Sequence, residues 1–261
     1  MCRWAAYAGP EIFLEEIISR PEHSLVSQSL HSDEGKTDTN GDGFGMAWYG
    51  ERPEPGLFRD TYPAWADPNL QSLAAHVKSG LFLAHVRAST GSATSRNNCH
   101  PFVHGRWSFM HNGMIGGYNG FRKQVDQMIP DALYPHRKGA TDSEAAFLIA
   151  LGNGLEANPK RALEQTVFQL ETLARERGES PYMRFTAAFS DGRRLFGVRY
   201  ASDKFAPTLY LRKMCKFGGH TLVSEPLEVS DAPWEVVPPA TFVEITDGQV
   251  VLSDFVPNRC C

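Results

Sequence analysis

Cys2-Arg3-Trp4-Ala5-Ala6-Tyr7-Ala8 follows Met1 directly and reads as a short strand that starts almost at the terminus. Working outward, GFGMAWY (Gly43 to Tyr49) reads as a second strand, entered through a glycine turn. LFLAHVRA (Leu81 to Ala88) and WSFMH (Trp107 to His111) read as buried strands. EIFLEEIIS (Glu11 to Ser19) has apolar residues at helical spacing, which predicts a helix. The polar stretch Arg20 to Gly41 reads as a long loop. Asp67-Pro68 makes a helix start, cap then first-turn proline, and Gly80 a stop. Tyr118 to Met128, Asp142 to Leu155 and Pro159 to Arg177 are predicted helices. Phe185 to Ser190 and Arg194 to Tyr200 flank Asp191-Gly192-Arg193 as a hairpin. Further strands are expected near Leu209, Thr221, Val236, Phe242 and Val250, with Asp247-Gly248 as a turn. Strands, then helices, then strands imply sheets packed on each other with helices outside, in one α+β domain over residues 2–261.

Of the 261 residues, 42% are hydrophobic, enough for a substantial core. The net charge of −4, from 26 Lys+Arg against 30 Asp+Glu, exerts no broad pull on nucleic acid or anionic membranes. Neither is expected as a partner. No apolar run approaches transmembrane length, and the start lacks the pattern of a signal peptide. Five scattered cysteines, Cys2, Cys99, Cys215, Cys260 and Cys261, fit a reducing compartment, so a cytoplasmic location is expected.

Several patterns are set aside. Asp38 to Gly43 opens like a calcium loop, but Tyr49 stands where a bidentate Glu is needed. Gly41-Asp42-Gly43-Phe44-Gly45 lacks the preceding strand and following helix of a nucleotide loop, and reads as a tight turn. His85, His100, His104 and His111 match no zinc spacing. No metal or cofactor is expected.

What remains carries chemistry. With Met1 removed, Cys2 would hold a thiol and a free α-amine in one residue, a nucleophile and its base. Alone, it reads more readily as a small apolar residue in a strand. Arg87 ends an apolar strand, and its planar fork suits a carboxylate. Asn112-Gly113 at a strand end is either a turn or an oxyanion hole made of an amide and a backbone N–H. Asp142 starts a helix, where capping or dipole support is the default role.

In combination these features resemble the class II glutamine amidotransferases, which are N-terminal-nucleophile hydrolases. The resemblance runs through Met1-Cys2-Arg3, DGFGMAWY (Asp42 to Tyr49), AHVRAST (Ala84 to Thr90), NCHPF (Asn98 to Phe102), MHNG (Met110 to Gly113), TDSE (Thr141 to Glu144) and VSEPL (Val223 to Leu227). It is nearest to compact members without a synthase domain: the YafJ-like group, the γ-glutamyl hydrolase of ergothioneine biosynthesis and the amidotransferase-like subunit of fungal glutathione degradation. The resemblance implies a four-layer αββα sandwich of two mainly antiparallel sheets. It implies Cys2 as nucleophile, Asn112 and Gly113 as oxyanion hole, and Arg87, Thr90 and Asp142 as ligands of the substrate's amino-acid head. Synthase-fused members carry Arg-Trp-Ala-Thr-His-Gly where this chain has Arg87-Ala88-Ser89-Thr90-Gly91, so that run carries head contacts only to Arg87 and Thr90. The implied activity is cleavage of a small γ-glutamyl amide through a Cys2 thioester. The alternative is a subunit that serves a separate acceptor or peptidase enzyme.

Overall fold

The computed structural model describes residues 2–34, 39–89, 93–228 and 233–258. In chain order the elements begin with β1 (Arg3–Phe13), α1 (Glu15–Ile18), α2 (Leu25–Leu30), β2 (Phe44–Trp48), β3 (Gly56–Asp60), α3 (Pro68–His76) and β4 (Lys78–Val86). They continue with β5 (Phe102–His104), β6 (Trp107–Ile115), α4 (Tyr118–Asp126), α5 (Asp142–Gly152), α6 (Pro159–Glu176), β7 (Met183–Ser190) and β8 (Leu195–Ala201). The last strands are β9 (Tyr210–Met214), β10 (Gly219–Val223), β11 (Glu235–Val236), β12 (Thr241–Thr246) and β13 (Gln249–Asp254).

These strands form two antiparallel sheets, ordered β11-β9-β10-β1-β4-β2-β3 and β13-β12-β8-β7-β6-β5. Strand alternation sorts their side chains into layers. Trp4, Ala6, Leu81, Leu83 and Leu222 of the first sheet meet Met110, Ala188, Leu195 and Val243 of the second. The opposite faces carry the intervening residues. Ala5, Tyr7, Phe82 and Val86 pack with Leu14, Ile17, Leu25 and Leu70 beneath α1, α2 and α3. Phe109, Phe185, Phe189 and Phe196 pack with Phe147, Leu163, Val167 and Leu170 of α5 and α6. The result is the expected α+β sandwich of four layers, αββα. Because each sheet is covered on both faces, its central strands bury apolar residues on both sides. No described helix is long and apolar enough to cross a membrane.

Several boundaries differ from the sequence reading. Glu11 to Ser19 is helical only over Glu15–Ile18, because β1 resumes after an irregularity and pairs Ile12 with Ser79 and Phe13 with Lys78. Ladder pairing there outweighs local helical periodicity. The expected loop Arg20 to Gly41 contains α2, whose cap is Ser24, with Oγ accepting from Ser27 N–H at 3.2 Å. Asp67 caps α3 as expected, accepting from Leu70 N–H at 2.8 Å, but the helix stops at His76 and Gly80 lies inside β4. The strand expected near Leu209 begins at Tyr210. Both hairpin turns hold. Asp191 accepts from Arg193 and Arg194 N–H, and Asp247 and Gly248 both have positive φ, 49° and 74°.

Tyr49, just beyond β2, ties the sheets together. Its buried hydroxyl lies 2.8 Å from Arg106 O, 2.8 Å from Ser108 Oγ and 3.0 Å from Ser190 O. Tyr49→Phe removes a buried hydroxyl that can donate to one of these oxygens and accept from Ser108, leaving polar atoms between the sheets short of a partner. It should cost about 1–3 kcal/mol in urea unfolding with an unchanged slope.

Candidate active site

The central position of β1 sets the site. Arg3 pairs with Val86, which brings Cys2 alongside Arg87 and Ala88 at the end of β4. Ala88 N–H donates to Cys2 Sγ at 3.3 Å, and the thiol lies 3.4 Å from Ala88 O. From the facing sheet, Asn112 Nδ2 donates to Cys2 O at 2.6 Å. Cys2, Arg87, Asn112, Gly113 and Asp142 all line one cleft of about 640 Å³. Thr90, the remaining expected head-group contact, lies outside the described residues.

Arg87 is 3% exposed. Its Nη1 donates to Asp42 O at 3.2 Å, and its Nη2 to Ser89 Oγ at 3.1 Å and Ala93 O at 3.4 Å. Asp42 also accepts from Ser89 N–H at 2.7 Å, so the DGFG turn shapes the run after β4. That turn is tight, as its glycines suggested: Asp42 N–H donates to Arg87 O, Arg87 N–H donates to Gly43 O, and Gly43 has φ +118°.

Asn112 and Gly113 do not end their strand. β6 runs on to Ile115, and both residues are paired with β7, Asn112 with Thr186 and Gly113 with Phe185. The Asn-Gly dipeptide is therefore not a turn. Gly113 has φ +149°, and a Cβ there would sit 1.8 Å from Arg184 O. Thr141, not Asp142, caps α5, accepting from Glu144 N–H at 3.2 Å. Asp142 in the first turn accepts from Ile115 N–H at 3.1 Å through Oδ2 and from Ser143 N–H at 2.8 Å through Oδ1.

Three residues missed by sequence reasoning hold the frame. Asn98 donates to Ala93 O at 2.8 Å and accepts from Ala140 N–H at 2.7 Å, bridging the runs that carry Arg87 and Asp142. Glu144 accepts from Arg137 at 2.7 Å and from Lys138 and Gly139 N–H. Glu225 pairs with Arg3 at 3.2 Å, both side chains 2% exposed, and takes contacts from His23, Asp33 N–H and Glu34 N–H. Asn98, Glu144 and Glu225 all stand in motifs quoted above, but nothing local distinguishes their framing role. Gly117, Tyr118, Arg122 and Glu179 line more of the cleft, and no sequence signal pointed to them.

Burial raises the Cys2 thiol above its ordinary value, against the pull of Ala88 N–H, the amino terminus, Arg87 and Arg3. The thiol therefore needs a base. Burial lowers His111, opposed by Asp142 and by its contact with Arg184 O. Burial and the Arg87 cation push His85 down to about 3, and burial holds His100 well below its ordinary value. Both are neutral imidazoles at pH 7.

Burial alone would raise Glu225, but His23, the Asp33 and Glu34 N–H groups and Arg3 outweigh it and hold the carboxyl below its ordinary 4.5. A depressed folded pKa stabilises the fold above pH 4.5, and that contribution is lost as pH falls through the folded value. Glu225→Gln should therefore lower Tm most near neutrality, and the gap to wild type should narrow in acid. An equal gap at every pH would contradict this. Gly113→Ala should destabilise by at least about 2 kcal/mol in urea unfolding, since it meets both the left-handed φ and the Arg184 carbonyl.

The class II glutamine amidotransferase family model matches residues 20–229. The probable glutamine amidotransferase DUG3 of Saccharomyces cerevisiae is 41% identical over 160 residues, which cover 58% of this chain and 45% of the yeast protein. The chain thus matches less than half the length of that relative. The gamma-glutamyl-hercynylcysteine sulfoxide hydrolase of Mycolicibacterium smegmatis is 25% identical over 256 residues, 97% of this chain and 99% of that protein. Among solved structures, a glutamine aminotransferase class-II domain protein from Silicibacter pomeroyi superposes with a TM-score of 0.79 at 44% identity, covering 98% of this chain and 100% of its own.

Proposed function

The chain belongs to the class II glutamine amidotransferases, and from that premise we propose that it hydrolyses a γ-glutamyl amide through a thioester on Cys2. The observation that carries this reading is the convergence of Cys2, Arg87, Asn112, Gly113 and Asp142 on one cleft. The family match begins after Cys2, so the nucleophile rests on that convergence and on the sequence motif.

Removal of Met1 frees the α-amine of Cys2. An amine of this kind titrates at about 7.7–8.0, so near neutrality it can take the proton of a thiol that burial has made reluctant to ionise. Arg87 grips the α-carboxylate of the substrate head and Asp142 its α-ammonium, with Thr90 as a further contact. Two charges held at a fixed separation orient the γ-carbonyl toward Sγ. Attack forms the S–C bond and moves the carbonyl π electrons onto oxygen. One hydrogen of Asn112 Nδ2 already faces Cys2 O, and the second, with Gly113 N–H, stabilises the oxyanion. The protonated α-amine gives its proton to the leaving nitrogen, and the C–N bond breaks. Water, deprotonated by the same amine, attacks the thioester and releases glutamate and the thiol.

The size of the cleft favours a γ-glutamyl conjugate over glutamine. About 640 Å³ falls in the range that holds ligands of drug size, well beyond one amino acid. The mycobacterial relative, matched along nearly its whole length, is named as a hydrolase of such a conjugate.

Glutamate release from a panel of γ-glutamyl compounds tests the proposal, using enzyme whose Met1 removal is verified by mass. Peptidyl or thioether conjugates should outrank glutamine. Cys2→Ala should abolish release, and Asn112→Ala should lower kcat by about 100–1,000-fold. Arg87→Met should act mainly on kcat/KM. Retention of Met1 should inactivate the enzyme by converting the amine to an amide. Residual release by Cys2→Ala overturns the nucleophile assignment.

A further inference from the structure

Asn112 has two ends, and the mechanism uses only one. Its Nδ2 faces Cys2, so Oδ1 points away from the reacting atoms. That oxygen is buried and has no hydrogen-bond partner among the described residues. His85 is 1% exposed, and neither of its ring nitrogens has a partner there either. The two side chains meet between the sheets: Asn112 reaches Cys2 O from β6, and His100, on which the His85 ring stacks, lines the cleft together with Asn112, whose amide acts to raise the His85 pKa against burial. A buried acceptor beside a buried donor, each otherwise unpaired, is a costly arrangement that one hydrogen bond resolves.

The fold holds the His85 ring at this place. His85 lies on β4 opposite Trp4 of β1, so it shares the inter-sheet face with Trp4 and Leu83. Its ring stacks on His100 at 4.3 Å between centroids and 29° between planes, and His100 packs against Phe102 at 4.6 Å. Gly45, the β2 partner of His85, makes room for this stack: a Cβ there would lie 2.2 Å from His100 O. A neutral imidazole carries one N–H and one lone pair, so it can serve Asn112 as a donor.

We propose that His85 is a positioning residue for the reaction, its ring N–H donating to Asn112 Oδ1 and so keeping both amide hydrogens on the side of Cys2. The need for it follows from the double use of Nδ2. One hydrogen holds Cys2 O and the other meets the oxyanion, so a rotation of the amide by half a turn would present an acceptor to a developing negative charge. Cys2 O opposes that rotation from one side, and His85 opposes it from the other.

This inference rests on the proposed role of Asn112. His85→Phe keeps the ring and its stack while removing both nitrogens. His85→Gln restores an N–H donor. With the best γ-glutamyl substrate, His85→Phe should lower kcat about 10–100-fold and leave KM within about twofold, because the oxyanion exists only beyond the ground state. His85→Gln should recover most of the loss. Alkylation of Cys2 by iodoacetamide, which builds no oxyanion, should be unchanged in both. In an Asn112→Ala background His85→Phe should have no further effect on kcat. The proposal is overturned by a kcat for His85→Phe within about twofold of wild type, by equal impairment of the two variants, or by additive losses in the double mutant. Should His85→Phe not fold, His85→Leu replaces it in the same cycle with the same criteria. Residual turnover by Cys2→Ala would instead sink the underlying mechanism, which separates the two failures.

Discussion

The buried pair of Arg3 and Glu225 anchors the site. A guanidinium withdrawn from water is strongly unfavourable unless a charge and hydrogen bonds replace its hydration. Glu225 supplies the charge at 3.2 Å and spends its remaining capacity on His23 and two backbone N–H groups. The partner of Arg3 comes from the far end of the chain, in the run after β10, beside the Trp4–Ser224 backbone link. The first residues of the chain, which would ordinarily fray, are thereby held in the middle of a seven-stranded sheet. Cys2 inherits that rigidity.

From this anchor the remaining geometry follows by register. Pairing of Arg3 with Val86 places Cys2 beside Arg87, and the packing of β4 against β6 brings Asn112 within reach of Cys2 O. Neighbouring strands are held by backbone ladders and facing sheets by interdigitated side chains, so a site built across both is less free to shift than one built on loops. Gly113 serves the same end, because only a residue without a Cβ can take its φ beneath the Arg184 carbonyl.

Charge in the cleft is distributed with little overlap of roles. Arg87 donates to neutral oxygens of Asp42, Ser89 and Ala93, which orient the cation. Asp142 is held by N–H groups, which orient the anion in the same way. The imidazoles of His85 and His100 are driven neutral by burial and contribute no competing charge. The cleft thus presents charges of both signs, Arg87 and Arg122 with Asp142 and Glu179, beside a thiol between the sheets.

Much of this was legible in the sequence. The apolar strands, the hairpin turns, the Asp67 cap and the resemblance through Cys2, Arg87, Asn112-Gly113 and Asp142 are local patterns, and local patterns are what a sequence carries. Glu11 to Phe13 misled because helical periodicity there competes with pairing to Lys78 and Ser79, residues more than sixty positions away. Asn112-Gly113 read as a strand end because its continuation to Ile115 depends on β7, far along the chain. Glu225, Asn98 and His85 acquire their roles only when distant segments meet. The sequence by itself determined which residue types the chemistry has available and on which elements they ride. The tertiary structure alone decided which of them face one another, since burial, ion pairing and strand register are properties of contacts between segments that no single segment contains.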